Sequence, residues 1–157
     1  MSTVQFATPS DIPLLVELGR QMHVQSRYSW MPYSASETWA YLERIIPAKQ
    51  HCVMVAHSSS GHEATICGVL VATVTPYHFS RDLQARVDYM YVLPPKRGTP
   101  VAMKLVTAFR RWASNREVAE ITMPNTFGAG QGATAKLFSK LGMPSVGGLH
   151  STWVQRK

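Results

Sequence analysis

The stretch Tyr91-Val92-Leu93-Pro94-Pro95-Lys96-Arg97-Gly98-Thr99-Pro100-Val101-Ala102-Met103-Lys104-Leu105 runs from a strand-like segment, through a short basic loop, into a helix start. That order makes an anion site. The N–H groups of a first helical turn have no acceptors within the helix, and the helix dipole adds partial positive charge at the same place. Lys96 and Arg97 add full charges beside it, Gly98 lets the backbone come close to a ligand, and Ala102 is small. Pro100 suits the first turn, where its missing N–H costs little. The same residues would also make an ordinary strand-to-helix loop with solvated charges, and their spacing does not separate the two. Other chemistries are less well supported. The six histidines show no H-x-x-x-H or H-E-x-x-H spacing, so no metal site is expected. Cys52 and Cys67 have no metal spacing either and are expected to be reduced, partly buried thiols. The G-A-G-Q-G run ending at Gly132 lacks the βαβ context and the acidic ribose ligand of a dinucleotide fingerprint.

The elements that must hold this loop follow from periodicity. Residues 2–7 suit a short strand. Ser10 suits an N-cap, and Ile12, Leu15, Val16, Leu18 and Met22 give helical spacing to about His23. Residues 24–33 are irregular and aromatic. Ser34-Ala35-Ser36-Glu37 matches a capping box ahead of a second helix with Trp39, Leu42, Ile45 and Ile46 on its apolar face, stopped by Pro47. Strands are expected at 52–56 and 66–75 as a hairpin, and at 85–93. A third helix carries Val101, Leu105, Val106, Phe109 and Trp112, a core stripe ending near Asn115. A strand at 118–123, a glycine-rich loop, a helix at 134–141 and a last strand at 149–154 complete the order β-α-α-β-β-β-α-β-α-β. The expected fold class is therefore α+β (mixed α/β): a mixed, mostly antiparallel sheet with helices on both faces and one right-handed parallel crossover.

The chain has 157 residues, 45% of them apolar and 16% charged, which fits one domain spanning 1–157 and excludes a disordered or collagen-like chain. The net charge of +7 favours anionic partners. The positive residues are dispersed, which argues against a nucleic-acid arm. No apolar run approaches the ~20 residues of a membrane span, and the first residues do not read as a signal peptide. A cytoplasmic protein without membrane contact is expected.

The motifs V-x-P-x-x-R-G before a helix and A-T-A-K-L-F-S-K-L-G-M at 133–143 resemble those of the GNAT N-acetyltransferases, as do the T-P-S-D helix start and the element order. The resemblance spans nearly the whole chain. It is strongest to a subgroup met in phages and prophages, which shares E-L-G-R-x-M-H at 17–23, W-A at 112–113 and a modified R-G-x-x-x-A loop. The resemblance implies an enzyme that moves an acetyl group from acetyl-CoA to a primary amine, with both substrates held at once and homodimers common. It implies that Lys96, Arg97, Gly98, Thr99, Pro100, Val101 and Ala102 hold the pyrophosphate. It further implies that Met90, Tyr91 and Val92 run along the pantetheine arm and that Asn125 binds it too, although Asn-Thr after a strand is also ordinary loop chemistry. Two departures stand out. The first glycine of the phosphate loop falls on Pro100, which removes one N–H. The family's frequent tyrosine beside the leaving thiolate falls on Phe138, which has no hydroxyl. Both support the alternative of a non-catalytic acyl-CoA-binding or protein-interaction module.

Acyl transfer to an amine needs a base, a polarised carbonyl and positioning. Asp88 is the leading base. Simple alternation would put it on one face with Met90 and Val92, with Tyr89 and Tyr91 on the other face in the core. The plainer role for Asp88 is a pair with Arg86 or Arg81. His23, at the end of the first helix, is a second base, or else a helix-end histidine. Tyr28, Trp30, Met31 and Tyr33 lie where the family walls its acceptor site, and they suit an apolar or cationic acceptor as well as they suit covering the core. Tyr77 and His78 are expected to line the same cleft.

Overall fold

The computed structural model describes residues 1–60, 63–124 and 131–154. Five strands form one sheet in the order β1 (Ser2–Phe6), β2 (His51–Ser60), β3 (Glu63–Pro76), β4 (Leu83–Val92), β5 (Glu120–Thr122). The first four are antiparallel neighbours, and β4 and β5 are parallel. Helix α3 (Val101–Ser114) makes the connection that parallel pairing requires. The other helices are α1 (Ile12–Val24), α2 (Ala35–Ile45) and α4 (Gln131–Lys140). The expected fold class holds. Residues 149–154, expected as a last strand, join no ladder. The β-branched and aromatic residues Thr152, Trp153 and Val154 give the stretch strand propensity, but pairing depends on what lies beside it.

Strand alternation divides the core between the two faces of the sheet. Cys52, Met54, Leu70 and Ala72 meet Val101, Leu105, Val106 and Phe109 of α3 on one face. Val53, Val55, Val69 and Val71 meet Leu15, Leu18, Leu42 and Ile45 of α1 and α2 on the other. Each such side chain contributes roughly 1.5–3 kcal/mol when fully buried. Gly68 permits the close seating of α3: a Cβ there would lie 3.2 Å from side-chain carbons of both Leu105 and Val101. Both cysteines are free and buried, and burial pushes the Cys52 thiol up to about 12.

Local start signals worked, with two changes. Ser34 caps α2 by accepting from the Glu37 N–H at 3.2 Å. At α1 the entry is set by Thr8 rather than Ser10: the Asp11 carboxylate accepts from the Thr8 N–H at 2.7 Å and closes a 3-10 turn that leads into the helix. Trp39, expected on the apolar face of α2, is 40% exposed, while Leu42 and Ile45 are buried. Among the described residues no helix is long and apolar enough to cross a membrane.

Candidate functional site

β4 changes character halfway along. From Gln84 to Arg86 it is paired on both edges, and Arg86 opposite Thr122 is its last partner in β5. Immediately beyond, the register with β3 slips: Val87 faces Ala72, Tyr89 faces Val71, and Asp88 is the extra residue of a β-bulge. The bulge resets the alternation. Val87, Met90 and Val92 all pack towards α3, while Tyr89 and Tyr91 pack towards α1 and α2. Asp88 stands with the second group. Its Oδ2 accepts from the Thr73 hydroxyl at 2.5 Å, and Thr73 follows Val71 on that face of β3. The expectation that Asp88, Met90 and Val92 share one face is therefore corrected, because one inserted residue reverses the parity of everything after it.

The carboxylate is held from behind. Thr73 has a single hydroxyl hydrogen and gives it to Asp88. The contact of 3.1 Å between Thr73 Oγ1 and His51 Nδ1 must then be the imidazole N–H donating to the hydroxyl oxygen. Arg86 Nε lies 3.9 Å from the other carboxylate oxygen. Nothing in the order of residues pointed to the string from His51 through Thr73 to Asp88, which joins β2, β3 and β4, whereas the contact with Arg86 is a pair expected for Asp88.

After Asp88 the outer edge of β4 has no partner strand among the described residues. The Leu93 N–H donates to the Cys67 carbonyl at 2.9 Å, so Leu93, and by alternation Tyr91, face β3. Met90 and Val92 turn their N–H and C=O groups to the open edge. That edge leads into the basic loop. Gly98 has φ +78°, in the region that favours glycine, with open space where a Cβ would stand. Thr99 folds its hydroxyl onto the Lys96 carbonyl at 2.6 Å. Pro100 takes the N-cap position, Val101 and Ala102 open α3, and no side chain caps that first turn. Arg97 does not stand free beside the loop. Its Nε donates to the Val92 carbonyl at 3.0 Å and a terminal nitrogen donates to Gln25 Oε1 at 2.8 Å, while Gln25 donates in turn to the Tyr91 hydroxyl at 2.9 Å. The guanidinium thus ties the loop to β4 and to the end of α1.

On the opposite face a cavity of about 480 Å³ lies between α1 and α2, with Val69 and Tyr89 as its floor. His23, Tyr28 and Tyr33 line it. The Tyr33 hydroxyl donates to the Val16 carbonyl at 2.7 Å, and its ring lies 5.5 Å from that of His23. The wall from α2 (Glu37, Thr38, Tyr41 and Arg44) was not anticipated, although its spacing of four and then three residues marks one helix face. Burial raises the Tyr41 hydroxyl and the nearby Asp88 carboxylate raises it further. Tyr89 is raised by burial above all, with Tyr41 and Asp88 adding to the effect. Asp88 itself does not line the cavity; its carboxylate bears on Tyr41 and Tyr89, which do.

The remaining expected residues lie elsewhere. Trp30 is 60% exposed and packs edge-on against Trp153, and Met31 does not line the cavity. Tyr77 and His78 are at the β3–β4 turn, where the Tyr77 hydroxyl donates to Glu120 at 2.5 Å and His78 packs on Phe79. They do not reach this cleft, because the turn sits beside β5 at the far end of β4 from the loop. Phe138 lines a separate groove with Met123 and Gly142. Asn125 lies outside the described residues. No group of three metal-ligating side chains occurs among the described residues.

No protein-family model and no curated protein sequence matches the chain. Solved structures do. A transcriptional regulator from Bacillus halodurans C-125 superposes with a TM-score of 0.78 at 19% identity, covering 98% of this chain and 100% of that one. Glucosamine-6-phosphate N-acetyltransferase from Arabidopsis thaliana gives 0.77 at 13% identity, with 99% of each chain covered. The aminoglycoside acetyltransferase AAC(6')-Iy, bound to a bisubstrate analogue CoA-S-monomethyl-acetylneamine, gives 0.76 at 16% identity, also with 99% of each chain covered. At these identities the likeness establishes the fold, which is that of N-acetyltransferases of the GNAT type.

Proposed function

We propose that the chain is an acetyl-CoA-dependent N-acetyltransferase that passes an acetyl group directly to a primary amine while holding both substrates. The observation that carries this reading is the parting of β4 from β5 after Arg86 and Thr122, which leaves the N–H groups of Met90 and Val92 and the Met90 carbonyl facing an edge that no described strand pairs and that runs into the start of α3, where no described side chain caps the first turn. An extended amide-bearing arm would hydrogen-bond to such an edge as a strand does. A pyrophosphate would sit on the first-turn N–H groups. The residues fit: Gly98 leaves the approach open, Lys96 supplies charge, and Val101 and Ala102 offer first-turn backbone donors, while the Thr99 N–H is already turned to the Lys96 carbonyl. In this scheme Arg97 and Tyr91 act chiefly by bracing the loop and strand.

Bound there, acetyl-CoA supplies an activated thioester. Asp88 takes the proton from the incoming ammonium, so that the neutral amine can form the C–N bond as the C–S bond breaks. The thiolate takes up a proton from the site or from water. The open N–H groups of β4 polarise the acetyl carbonyl. His23, at the cavity wall, is the second proton acceptor in reach of an amine there. The amine occupies the α1–α2 cavity beside Tyr28 and Tyr33. Placement in the phage and prophage subgroup, and in the cytoplasm, rests on the sequence resemblance and composition.

The rival reading is an acyl-CoA-binding module without turnover, favoured by Phe138 and Pro100, which remove a hydroxyl and an N–H from places where the family uses them. Two measurements separate the readings. Acetyl-CoA at about 100 times its dissociation constant should raise the melting temperature by roughly 5–10 °C. Release of free thiol on adding amines then reports transfer. A melting shift without thiol release on any amine would leave the binding module standing, and no shift at all would remove both.

A further inference from the structure

The basic loop and the end of α1 meet at one side-chain amide. Gln25 stands at the C-terminal end of α1, where its N–H donates to the Met22 carbonyl at 3.2 Å. An arginine can only donate, so the 2.8 Å contact with Arg97 fixes Gln25 Oε1 as the acceptor, and Nε2 then donates to the Tyr91 hydroxyl at 2.9 Å. The Arg97 guanidinium also lies 5.4 Å from the centre of the Tyr91 ring. Its N–H donors are spent in part on Gln25 and on the Val92 carbonyl. Among the described residues Arg97 belongs to no ion pair. Bracing by a neutral amide thus orients the guanidinium and leaves its charge to an anion in the loop. Gln25 does not line the α1–α2 cavity, but Met22 and His23 before it and Ser26 and Tyr28 after it do. Those residues form one hydrogen-bonded turn. The Ser26 N–H and hydroxyl both donate to the His23 carbonyl, at 3.1 and 2.8 Å, and the Tyr28 N–H donates to the Ser26 hydroxyl oxygen at 3.1 Å. Helix ends open locally unless contacts outside the helix hold them. Arg27 reaches Ser151 and Trp153, in a segment that joins no ladder. Gln25 ties the turn to β4 and to the basic loop.

We propose that Gln25 is a positioning residue that couples the two sites: a ligand in the basic loop steadies Arg97, and through Gln25 it holds closed the turn that carries His23, Ser26 and Tyr28. The inference rests on the acetyl-CoA-binding part of the proposed function and not on turnover. The turn has two states, closed and frayed, and the closed one keeps Gln25 in reach of Arg97. Ordering the long arginine side chain costs conformational entropy. A ligand that fixes the guanidinium removes that cost from its bond to Gln25, so the closed state gains. Linkage makes the effect reciprocal: an acceptor that needs the closed wall tightens the ligand in the loop by the same factor.

The test is hydrogen–deuterium exchange, with and without saturating acetyl-CoA, in the unmodified chain, Gln25→Ala and Gln25→Glu. Gln25 is exposed, so both changes leave the core intact. In the unmodified chain acetyl-CoA should slow exchange over residues 25–28 by roughly fivefold or more. Protection of the Val101 and Ala102 amides reports occupancy of the loop in every protein. Gln25→Ala should keep that protection and lose the effect on the turn. Gln25→Glu can still accept from Arg97, with the Tyr91 hydroxyl turning to donate, but it neutralises the guanidinium. Acetyl-CoA should then bind roughly five- to tenfold more weakly and, at saturation, still protect the turn. A Gln25 that only stabilises the fold would speed exchange in the turn of both variants and leave the increment added by acetyl-CoA unchanged. Equal increments in the unmodified chain and Gln25→Ala overturn the proposal, and so does a turn left unprotected while Val101 and Ala102 are protected. Thiol release is read separately. Coupling without thiol release on any amine sinks acetyl transfer alone. Thiol release without protection of the turn sinks the coupling alone, and no protection anywhere sinks both.

Discussion

The two halves of β4 are the same strand in different circumstances. Gln84 to Arg86 lie between β3 and β5, with Ala85 fully buried, and behave as ordinary sheet interior. Asp88 to Val92 are paired with β3 on one edge, begin with a bulge and turn backbone groups to an edge that no described strand pairs. Unmatched polar backbone is a liability in a core, and a sheet edge that is kept open invites a ligand or another strand. The bulge matters as much as the gap. It turns Asp88 towards Thr73 on the α1–α2 side of the sheet while Met90 and Val92 keep packing on α3. Half a strand thus presents a carboxylate on one face and backbone donors along its edge.

The largest test of this contrast removes the charge and keeps the shape. Asp88→Asn should lower the rate of acetyl transfer by roughly 10²–10⁴-fold, the scale of a lost general base, with the acetyl-CoA melting shift intact. A parallel loss of the shift would mean that Asp88 holds the strand rather than moving a proton.

The closed part of the sheet should answer to pH instead. Cys52 is buried on β2 with its thiol raised from 9.0 to about 12. The folded state therefore keeps a proton that the unfolded chain gives up. Stability is complete below pH about 9, falls as pH rises, and levels near 12, a loss of roughly 2–4 kcal/mol at most. Urea titrations across that range should show the slope, and Cys52→Ala should flatten it whatever its cost in packing.

Thr73→Val sharpens the comparison at the hinge between the halves. Losing a hydrogen bond to a charged group costs about 1.5–3 kcal/mol. With its donor gone, the Asp88 carboxylate loses the contact that orients it, so the rate of acetyl transfer should fall. Thr73→Ser should restore it. Equal rates in all three proteins would reduce Thr73 and His51 to packing.

The smallest effect is expected in the loop. Gly98→Ala meets no atom within 4 Å but forces a Cβ into φ +78°. The strain is about 1–2 kcal/mol, visible as a few degrees in the melt. Acetyl-CoA affinity should fall by more than stability does if the backbone of the loop contacts phosphate.

Much of this molecule was legible beforehand because the signals are local. The stripe Val101, Leu105, Phe109 and Trp112 repeats at helical spacing and is buried as expected, Ser34 caps α2, and Pro94 to Pro100 separate β4 from α3. Within the site, His23, Tyr28 and Tyr33 line the cavity because they flank the turn out of α1. Trp30 and Met31 sit in the same irregular segment and miss it, since nothing local sets their direction. Tyr77 and His78 were misplaced for a similar reason: following a strand says which end of the sheet a residue is near, not which cleft.

The amino-acid order alone therefore determined the sequence of elements, the split of the core between two faces and the basic loop ahead of α3, all of which follow from periodicity and capping over a few residues. The tertiary structure decided the rest. A bulge at Asp88 exists only as a mismatch between β3 and β4. The string from His51 through Thr73 to Asp88 needs three strands side by side. Arg97 finds Gln25 across 72 positions of chain. Each is a relation between segments far apart in sequence, and such relations take shape only when the sheet assembles.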